Sequence, residues 1–386
     1  MHPWNKLMTE TYDCIVLGVG GFGSAALAHL ARRGVRALGI ERFDLDHERG
    51  SSHGETRIIR KAYFEHPDYV PLLFRAYDLW RELERESNKE LMQLSGLMLA
   101  GPPDGEAIAG AKLAAQRYGI GIEEPTLAEA RARFAGFRFD DAHAVLVEPD
   151  AGFLHVEACR QAHIETAQAH GATVHANEAV LEWQPTANGV KLRTNRGKYE
   201  AASLIVTAGA WAGRLLADLA IPLEVVRKPI LWHAVTSREY DVANSAPAFY
   251  FETSAGVFYG FPSLDGATVK VCEHSGGAVV DDPTQLDREI HSADIEPVAN
   301  FIRQSMPGVQ SEPARHSMCM YTHTPDQHFI VDCHPEWPQV VIGAGFSGHG
   351  FKFTSVLGEA LADLAVNGET ELPIGFLSLG REALAG

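Results

Sequence analysis

The sequence predicts an α/β protein in which a domain built on a parallel sheet is interleaved with a domain built on an antiparallel sheet. Two stretches indicate the parallel sheet: residues 11–42 read as strand, glycine loop, helix and strand, and residues 340–366 read as strand, glycine loop and helix. Residues 221–318 contain short β-branched and aromatic runs between Pro, Gly and Asp turns, which is typical of an antiparallel sheet. The chain of 386 residues is long enough for two domains or for one large α/β domain with an insertion.

The first strand and the loop after it form the strongest local pattern. The apolar run Cys14–Leu17 is too short for a helix and is bounded by glycine, which indicates a buried strand. In the loop, Gly18 permits a tight turn, Gly20 lets the backbone approach a pyrophosphate, and Gly23 lets the next helix pack closely. The Ala/Leu-rich stretch Ser24–Arg33 is the expected helix, whose N-terminus would hold an anion.

A carboxylate follows the second expected strand. This strand is the apolar run Ala37–Ile40, and Glu41 at its end suits a hydrogen bond to a ribose hydroxyl. The order of strand, G-x-G-x-x-G, helix, strand and acid predicts a Rossmann-type domain that binds FAD or NAD. The acid disfavours the 2′-phosphate of NADP. The alternative without a ligand is an ordinary tight turn in a parallel α/β sheet.

The remaining chain alternates between helical and strand-like segments. An amphipathic helix is expected over residues 66–87, where Leu72, Ala76, Leu79 and Leu83 recur at helical spacing. Other helices are expected near residues 129–134, 155–169, 288–305 and 354–366, and other strands near 171–174, 179–183, 189–193, 204–207, 231–236, 248–251, 257–261, 268–272 and 340–342. The dinucleotide-binding domain is therefore expected to be discontinuous and to comprise residues 11–90, 148–220 and 319–386. A substrate and catalytic domain, inserted in it, is expected to comprise residues 91–147 and 221–318.

Composition narrows the class of protein. The formal net charge of −17 disfavours nucleic acid or an anionic membrane as a partner. The five cysteines are an odd number without a C-x-x-C pair, so neither a disulfide framework nor a metal site is expected. Residues 1–10 lack the apolar core of a secretory signal, and no apolar stretch is long enough to span a bilayer. We therefore expect a cytoplasmic protein.

A second glycine-rich loop follows the strand near residues 340–342. Four glycines let its backbone press against a flat ring: Gly343, Gly345, Gly348 and Gly350. The next helix points its positive end at this loop, which would stabilise the negative edge of a reduced flavin. A nicotinamide ring needs no such feature, so the loop favours a flavin. Close packing of a strand on a helix is the structural alternative.

Basic side chains cluster in apolar or glycine-containing settings: His53, Arg57, Arg60, Lys270, His274 and Lys352. Lys270 lies inside the apolar run Thr268–Val271, where burial of a charge is costly. For a single lysine, the solvated face of an edge strand is the alternative. Because an acidic protein collects these cations around glycine loops, we expect an anionic substrate, and a carboxylate is the obvious candidate.

Several segments together resemble the family of monomeric sarcosine oxidase and N-methyltryptophan oxidase. They are the G-x-G-x-x-G loop with Glu41, S-S-H-G-E-T-R-I-I-R, V-K-V-C-E-H, C-M-Y-T-H-T-P-D-Q-H-F-I-V-D and G-F-S-G-H-G-F-K-F. They occur in order along nearly the whole chain. The resemblance implies a D-amino-acid-oxidase-like flavoprotein fold: an FAD-binding domain of Rossmann type interleaved with an antiparallel-sheet substrate domain.

The resemblance also implies how FAD is held. Cys319 would carry FAD covalently through a thioether to its 8α-methyl group, although most single cysteines are simply small core residues. His53, Thr56 and Arg57 would line the flavin face near that attachment. The remaining expected cofactor contacts are Gly18, Gly20, Gly23, Glu41, Gly345, Gly348, Gly350 and Lys352.

The resemblance further implies an active site. Arg60 and Lys352 would hold the substrate carboxylate, and Lys270 would lie beside flavin N5 and activate O2. Tyr259 would be an aromatic wall or lid residue. The expected catalytic set is Lys270, Arg57, His53, His274 and Tyr321.

The implied activity is oxidation of a secondary amino acid such as sarcosine, with hydride transfer to flavin N5, imine hydrolysis, and reduction of O2 to H2O2 by a monomeric enzyme. Oxidases of larger N-methyl, cyclic or glycated amino acids remain open, as does a flavin dehydrogenase with another acceptor. An NAD-dependent dehydrogenase is a further alternative, and it would be a colourless protein. A flavin-bearing protein without catalytic activity would be yellow, and no amine would bleach it.

Overall fold

The computed structural model describes residues 9–384, which contain nineteen strands and eight α-helices. The strands are β1 Thr9–Leu17, β2 Ala37–Ile40, β3 Thr56–Ile59, β4 Met92–Gln93, β5 Leu97–Gly101, β6 Ala144–Glu148, β7 Gly152–His155, β8 Thr173–His175, β9 Val180–Thr186, β10 Gly189–Thr194, β11 Lys198–Val206, β12 Glu224–Val235, β13 Ala248–Thr253, β14 Gly256–Phe261, β15 Thr268–Glu273, β16 Ala278–Val279, β17 Val309–His323, β18 Ile330–Cys333 and β19 Val340–Ala344. The helices are α1 Gly21–Arg32, α2 Val70–Ser87, α3 Glu106–Tyr118, α4 Leu127–Arg133, α5 Val156–Ala169, α6 Ala212–Leu215, α7 Ser292–Ser305 and α8 Thr354–Asn367.

The first sheet is built around β1. Its main path has the order β18, β19, β11, β1, β2, β8, and the pairs from β19 to β8 are parallel. The antiparallel strands β9 and β10 extend it from β11. Residues Cys14–Leu17 of β1 are all buried, as expected for a central strand covered on both faces. The predicted strand–loop–helix–strand unit is therefore confirmed.

Helix α1 packs against both α5 and α8 over this sheet. Gly358 of α8 allows a close approach, since a Cβ atom there would lie 2.5 Å from the Cβ of Ala25 in α1. The two glycine loops thus belong to neighbouring strand–helix units. This arrangement brings the N-terminal and C-terminal loops to one end of the sheet.

The second sheet has the order β16, β12, β15, β14, β13, β5, β6, and β17 pairs with β12. Helix α7 covers it over a core rich in phenylalanine that includes Phe249, Phe251, Phe258 and Phe301. Apart from the parallel pair β5–β13, its strands pair antiparallel. The predicted α/β class with a largely antiparallel second sheet is confirmed.

The long strand β17 was not expected from the sequence. Its first half alternates half-buried and exposed polar residues, and only Met318–Tyr321 form an apolar run, so the local pattern is weak. The strand continues through the expected domain boundary between residues 318 and 319. The domain ranges therefore stay a prediction. Residues 385–386, at the end of the last range, lie outside the described residues. So do residues 1–8 of the N-terminal segment in which no secretory signal is expected.

Other differences are local. The expected helix over 66–87 begins as a 3-10 turn at Pro67–Tyr69 and becomes α-helical at Val70. The helix expected from 288 begins only at Ser292, because the side chains of His291 and Asp294 cap it there. Helix α3 and strand β18 were not located in advance. No helix within residues 9–384 is long and apolar enough to cross a membrane.

Candidate cofactor and substrate site

A cavity of about 460 Å³ opens where the carboxyl ends of the parallel strands face the second sheet. From the first sheet it is lined by Leu17, Ile40 and Thr207, which end or follow β1, β2 and β11. Tyr259 of β14 and Tyr321 of β17 line it from the second sheet. Parallel α/β sheets bind ligands at this edge.

The N-terminal glycine turn has the geometry that a dinucleotide requires. Gly18 has φ +88°, and a Cβ atom there would lie 2.6 Å from the carbonyl oxygen of Thr207. Gly23 packs against the strand rather than lining the cavity, because a Cβ atom there would collide with the carbonyl oxygen of Gly18. At Gly20 the nearest atom to such a Cβ is Ser52 Oγ at 3.7 Å, so backbone is open to a ligand. The turn therefore fits the pyrophosphate of FAD at the N-terminus of α1.

Glu41 lies in the cavity wall and is ionised. Its oxygens accept hydrogen bonds from the backbone N–H groups of Val19 at 2.9 Å and Phe43 at 3.1 Å, and His47 lies 3.4 Å away. Burial alone would raise the pKa of Glu41, but His47 and these N–H groups lower it below its usual value. The carboxylate is thus a fixed acceptor for a ribose hydroxyl.

The C-terminal glycine loop also lines the cavity, through Gly345, Gly348 and Gly350. Gly345 and Gly348 have φ +61° and +82°, a backbone region that favours glycine. A Cβ atom on Gly348 would meet the ring of Tyr321. The ring of Tyr321, which also lines the cavity, therefore packs against this loop at Gly348.

Arg57 and Lys270 share one backbone acceptor. The carbonyl oxygen of Thr56 accepts from Arg57 at 2.9 Å and from Lys270 Nζ at 2.6 Å, and Lys270 also donates to Gly54 at 2.7 Å. Burial, and then the charge of Arg57, lower the pKa of Lys270 to about 7. Arg57 lines the cavity, whereas Lys270 and Thr56 lie directly behind it.

Cys319 is in the cavity wall beside Arg57. Its side chain is 2% exposed, and Sγ lies 3.7 Å from an Arg57 Nη atom. His53 lies behind this wall, with Nδ1 3.4 Å from the Ser317 hydroxyl and Nε2 without a hydrogen-bond partner among the described residues. Burial, and then Arg57, lower the pKa of His53 to about 3, so the ring is neutral.

Arg60 and Lys352 lie near each other in the cavity wall, together with a carboxylate that the sequence analysis missed. Arg60 donates to Glu65 at 2.5 Å, and Lys352 Nζ donates to the carbonyl oxygen of His349 at 2.7 Å. Burial, and then Arg60, lower the pKa of Lys352 to about 7. Burial would raise the pKa of Glu65, but Arg60 and other cations lower it to about 2.

Three predicted residues form a polar row across the second sheet. The hydroxyl groups of Tyr259 and Tyr321 are 3.4 Å apart, and the Tyr321 hydroxyl lies 3.5 Å from Nδ1 of His274. Burial, and then Lys228, lower the pKa of His274 to about 4. At neutral pH this row therefore carries no charge of its own.

Besides Glu65, the sequence analysis missed other residues around the cavity: Lys228, Tyr250 and His349. Tyr250 faces Tyr259 directly in the β13–β14 pair, so knowledge of the strand register would have placed Tyr250 beside that predicted residue. Lys228 lies between Arg227 and Pro229 in β12, so its immediate neighbours do not give the apolar signal that singled out Lys270. Glu65 and His349 carry no local signal, because their roles depend on contacts distant in sequence.

Comparisons with known proteins agree with this geometry. A family model described as FAD dependent oxidoreductase matches residues 13–364. Monomeric sarcosine oxidase of Bacillus sp. (strain NS-129) is 41% identical, covering 98% of both chains. N-methyl-L-tryptophan oxidase of Yersinia pestis (strain Pestoides F) is 35% identical, covering 96% of this chain and 99% of that protein. Among solved structures, NikD, an unusual amino acid oxidase essential for nikkomycin biosynthesis, is similar with a TM-score of 0.86 at 27% identity, covering 96% and 98%.

The Arg60–Glu65 pair predicts a pH-dependent stability. Glu65 has a folded pKa of about 2, below the roughly 4.3 of an unfolded glutamate, so its ionised form stabilises the fold above about pH 4.3 and this contribution is lost as the pH falls toward 2. Glu65→Gln should lower the free energy of unfolding by about 3 kcal/mol at pH 7, since it leaves Arg60 buried without a counter-charge. Urea unfolding should show this difference shrinking between pH 5 and pH 3.

Glu182→Gln is the matched control, because Glu182 pairs with Arg193 where both side chains are about one-third exposed. It should change the free energy of unfolding by less than about 1 kcal/mol. A difference between Glu65→Gln and wild type that is equally large at pH 7 and pH 3 would contradict the prediction.

Proposed function

The chain belongs to the family of FAD-dependent oxidoreductases, and from that premise we propose that it oxidises secondary amino acids, with sarcosine or another N-methyl amino acid as substrate. One observation carries the proposal: the cavity joins a dinucleotide-binding glycine turn to Arg57 and to the buried cations Arg60 and Lys352, and buried Lys270 lies directly behind it. FAD, when bound, accepts a hydride equivalent from the N–C–H unit and passes the electrons to O2, giving H2O2.

The carboxylate of the substrate would be held by Lys352 and Arg60. Lys352 Nζ has three donors and uses one of them, on His349, among the described residues. Two donors therefore remain for a carboxylate, while Arg60 adds positive charge nearby in the cavity wall. Holding the carboxylate there would fix the N–C bond relative to the flavin.

The amine must be neutral before hydride transfer, and the surroundings favour that form. Arg57, Arg60 and the two buried lysines place positive charge around the cavity, which lowers the pKa of a bound ammonium group. The neutral ring of His274 does not counter this effect. Water would then hydrolyse the imine, releasing the primary amine and, from an N-methyl substrate, an aldehyde.

We assign the activation of O2 to Lys270. Reduction of O2 develops negative charge, and a desolvated ammonium group stabilises it more strongly than water does. Lys270 is 3% exposed and is held directly behind Arg57 by two backbone carbonyl groups. This fixed position is the support for its role.

We further propose that FAD is attached covalently through Cys319. The sulfur lies in the cavity wall next to the guanidinium group of Arg57, so it faces the space in which FAD would bind. Thioether formation removes two hydrogen atoms, one from the thiol and one from the 8α-methyl group, and O2 is the oxidant that finally accepts them. The monomeric state and the cytoplasmic location also remain proposals, the first supported by the name of the Bacillus relative.

The substrate class is tested by anaerobic bleaching. Sarcosine or another N-methyl amino acid should abolish the visible absorbance of the bound flavin, and O2 should restore it with one H2O2 per substrate. A panel of N-methyl, cyclic and glycated amino acids identifies the preferred class. If none of them bleaches the protein, the proposed function is wrong.

Cys319→Ala should release its flavin in concentrated guanidinium chloride, whereas wild type should keep it on the protein. Ultrafiltration followed by absorbance of the filtrate measures the difference. Cys272→Ala is the matched control, because Cys272 is 1% exposed and belongs to the same apolar cluster as Cys319. Loss of flavin from denatured wild type would refute the covalent attachment.

Lys270→Met should slow reoxidation of the reduced flavin by about 100-fold and slow anaerobic reduction by less than about tenfold. The charged lysine is the effective form, so reoxidation by wild type should slow as the pH rises through the lysine pKa, and the variant should lack this step. Stopped-flow absorbance separates the two half-reactions. Lys191→Met, at an exposed ion pair with Glu200, is the control. Equal slowing of both half-reactions would remove Lys270 from this role.

A further inference from the structure

Lys228 is a buried cation that the proposed function does not use. It lies on β12 and is 3% exposed. Its Nζ atom donates to the carbonyl oxygens of three successive residues: His274 at 3.1 Å, Ser275 at 2.7 Å and Gly276 at 3.2 Å. An ammonium group has three donors, so this one turn accepts them all.

The turn wraps around the lysine and depends on it. Gly276 and Gly277 have φ +65° and +116°, so the backbone here has more conformational freedom than a turn of ordinary residues. A Cβ atom on Gly277 would lie 3.2 Å from Cδ of Lys228. Without the ammonium group, these three partly buried carbonyl oxygens would face one another and lose their shared donor, which is unfavourable.

The same ammonium group contacts a second residue of the cavity wall. Lys228 Nζ lies 5.3 Å from the centre of the Tyr321 ring, within the range of a cation–π interaction. The first residue of the turn, His274, lines the cavity with its ring 5.6 Å from that of Tyr321. One buried charge therefore connects the backbone of His274 with the ring of its neighbour.

We propose that Lys228 is a positioning residue of the active site, which holds the turn of residues 274–276 and thereby fixes the imidazole of His274 beside Tyr321 in the cavity wall. The inference rests on the proposed function, because that function places the amino acid against this wall. Lys228 acts through His274 and not on the reacting atoms.

The charge of Lys228 also reaches the imidazole, since after burial it is the largest cause of the low pKa of His274. Other charged or titratable groups face these two side chains from neighbouring elements: Glu65, Cys272, Glu273, Cys319, Tyr321, His323 and Lys352. All of these groups remain when Lys228 is replaced. Loss of the ammonium group alone should therefore raise the pKa of His274.

Lys228→Met tests the proposal in the holoenzyme, because it removes the charge and keeps an unbranched side chain. The kcat/KM of anaerobic flavin reduction by sarcosine should fall about tenfold or more, and its acid limb should move to higher pH. Hydrogen exchange of the amides of residues 274–277 should become about tenfold faster or more. Lys112→Met, at an exposed ion pair with Glu124, should leave all three unchanged.

Gly277→Ala is a second route to the same result if Lys228→Met does not fold. It keeps the lysine, but its Cβ would press on the carbonyl oxygen of Arg227 at 2.8 Å and push the turn away. A folded variant with either a wild-type pH profile or wild-type exchange of the turn overturns the proposal. If no N-methyl amino acid reduces wild-type flavin, the proposed function fails, while the exchange measurement still decides whether Lys228 holds the turn.

Discussion

The cavity depends on buried cations that backbone carbonyl groups hold in place. Lys270, Lys352 and Lys228 donate to carbonyl oxygens, and Arg57 donates to those of Ser51 and Thr56. A carbonyl dipole offsets part of the desolvation cost of a cation without cancelling its charge. Among these described contacts, only Arg60 has a carboxylate partner, Glu65. The site therefore stays positive inside a chain whose formal net charge is −17.

Strands outside the first sheet supply three of these cations: Arg57 lies on β3, which forms a small third sheet with β7 and β4, and Lys270 and Lys228 lie on β15 and β12 of the second sheet. The first sheet presents glycine turns and helix N-termini to the dinucleotide, and the second presents side chains that a parallel sheet edge does not supply. The carbonyl groups that hold the lysines come from turns and from the start of a strand, at residues 54 and 56, 274–276 and 349. Precise turn geometry is thus part of the electrostatics of the site.

The sequence predicted features whose residues are close together along the chain, and it missed features that depend on contacts between distant residues. The unit β1–α1–β2 has its apolar run, its glycines and Glu41 within about thirty residues, and the structure agrees closely with the predicted unit. The strand β17 was missed because its polar half pairs with distant β12, which no short window shows. The family resemblance implied roles in one site for Cys319, Lys270 and Lys352, but it implied no role for Glu65 or Lys228. Backbone acceptors such as the carbonyl of Thr56 have no signature in the sequence at all.

The oxygen of Thr56 that serves both Lys270 and Arg57 has an evolutionary consequence. It belongs to the main chain, so ordinary replacements at position 56 leave it in place. Only a change that displaces the start of β3, such as an inserted or deleted residue or a nearby proline, removes this acceptor from both cations together. A replacement of the Thr56 side chain therefore preserves this acceptor, whereas a change in the length of the segment before it does not.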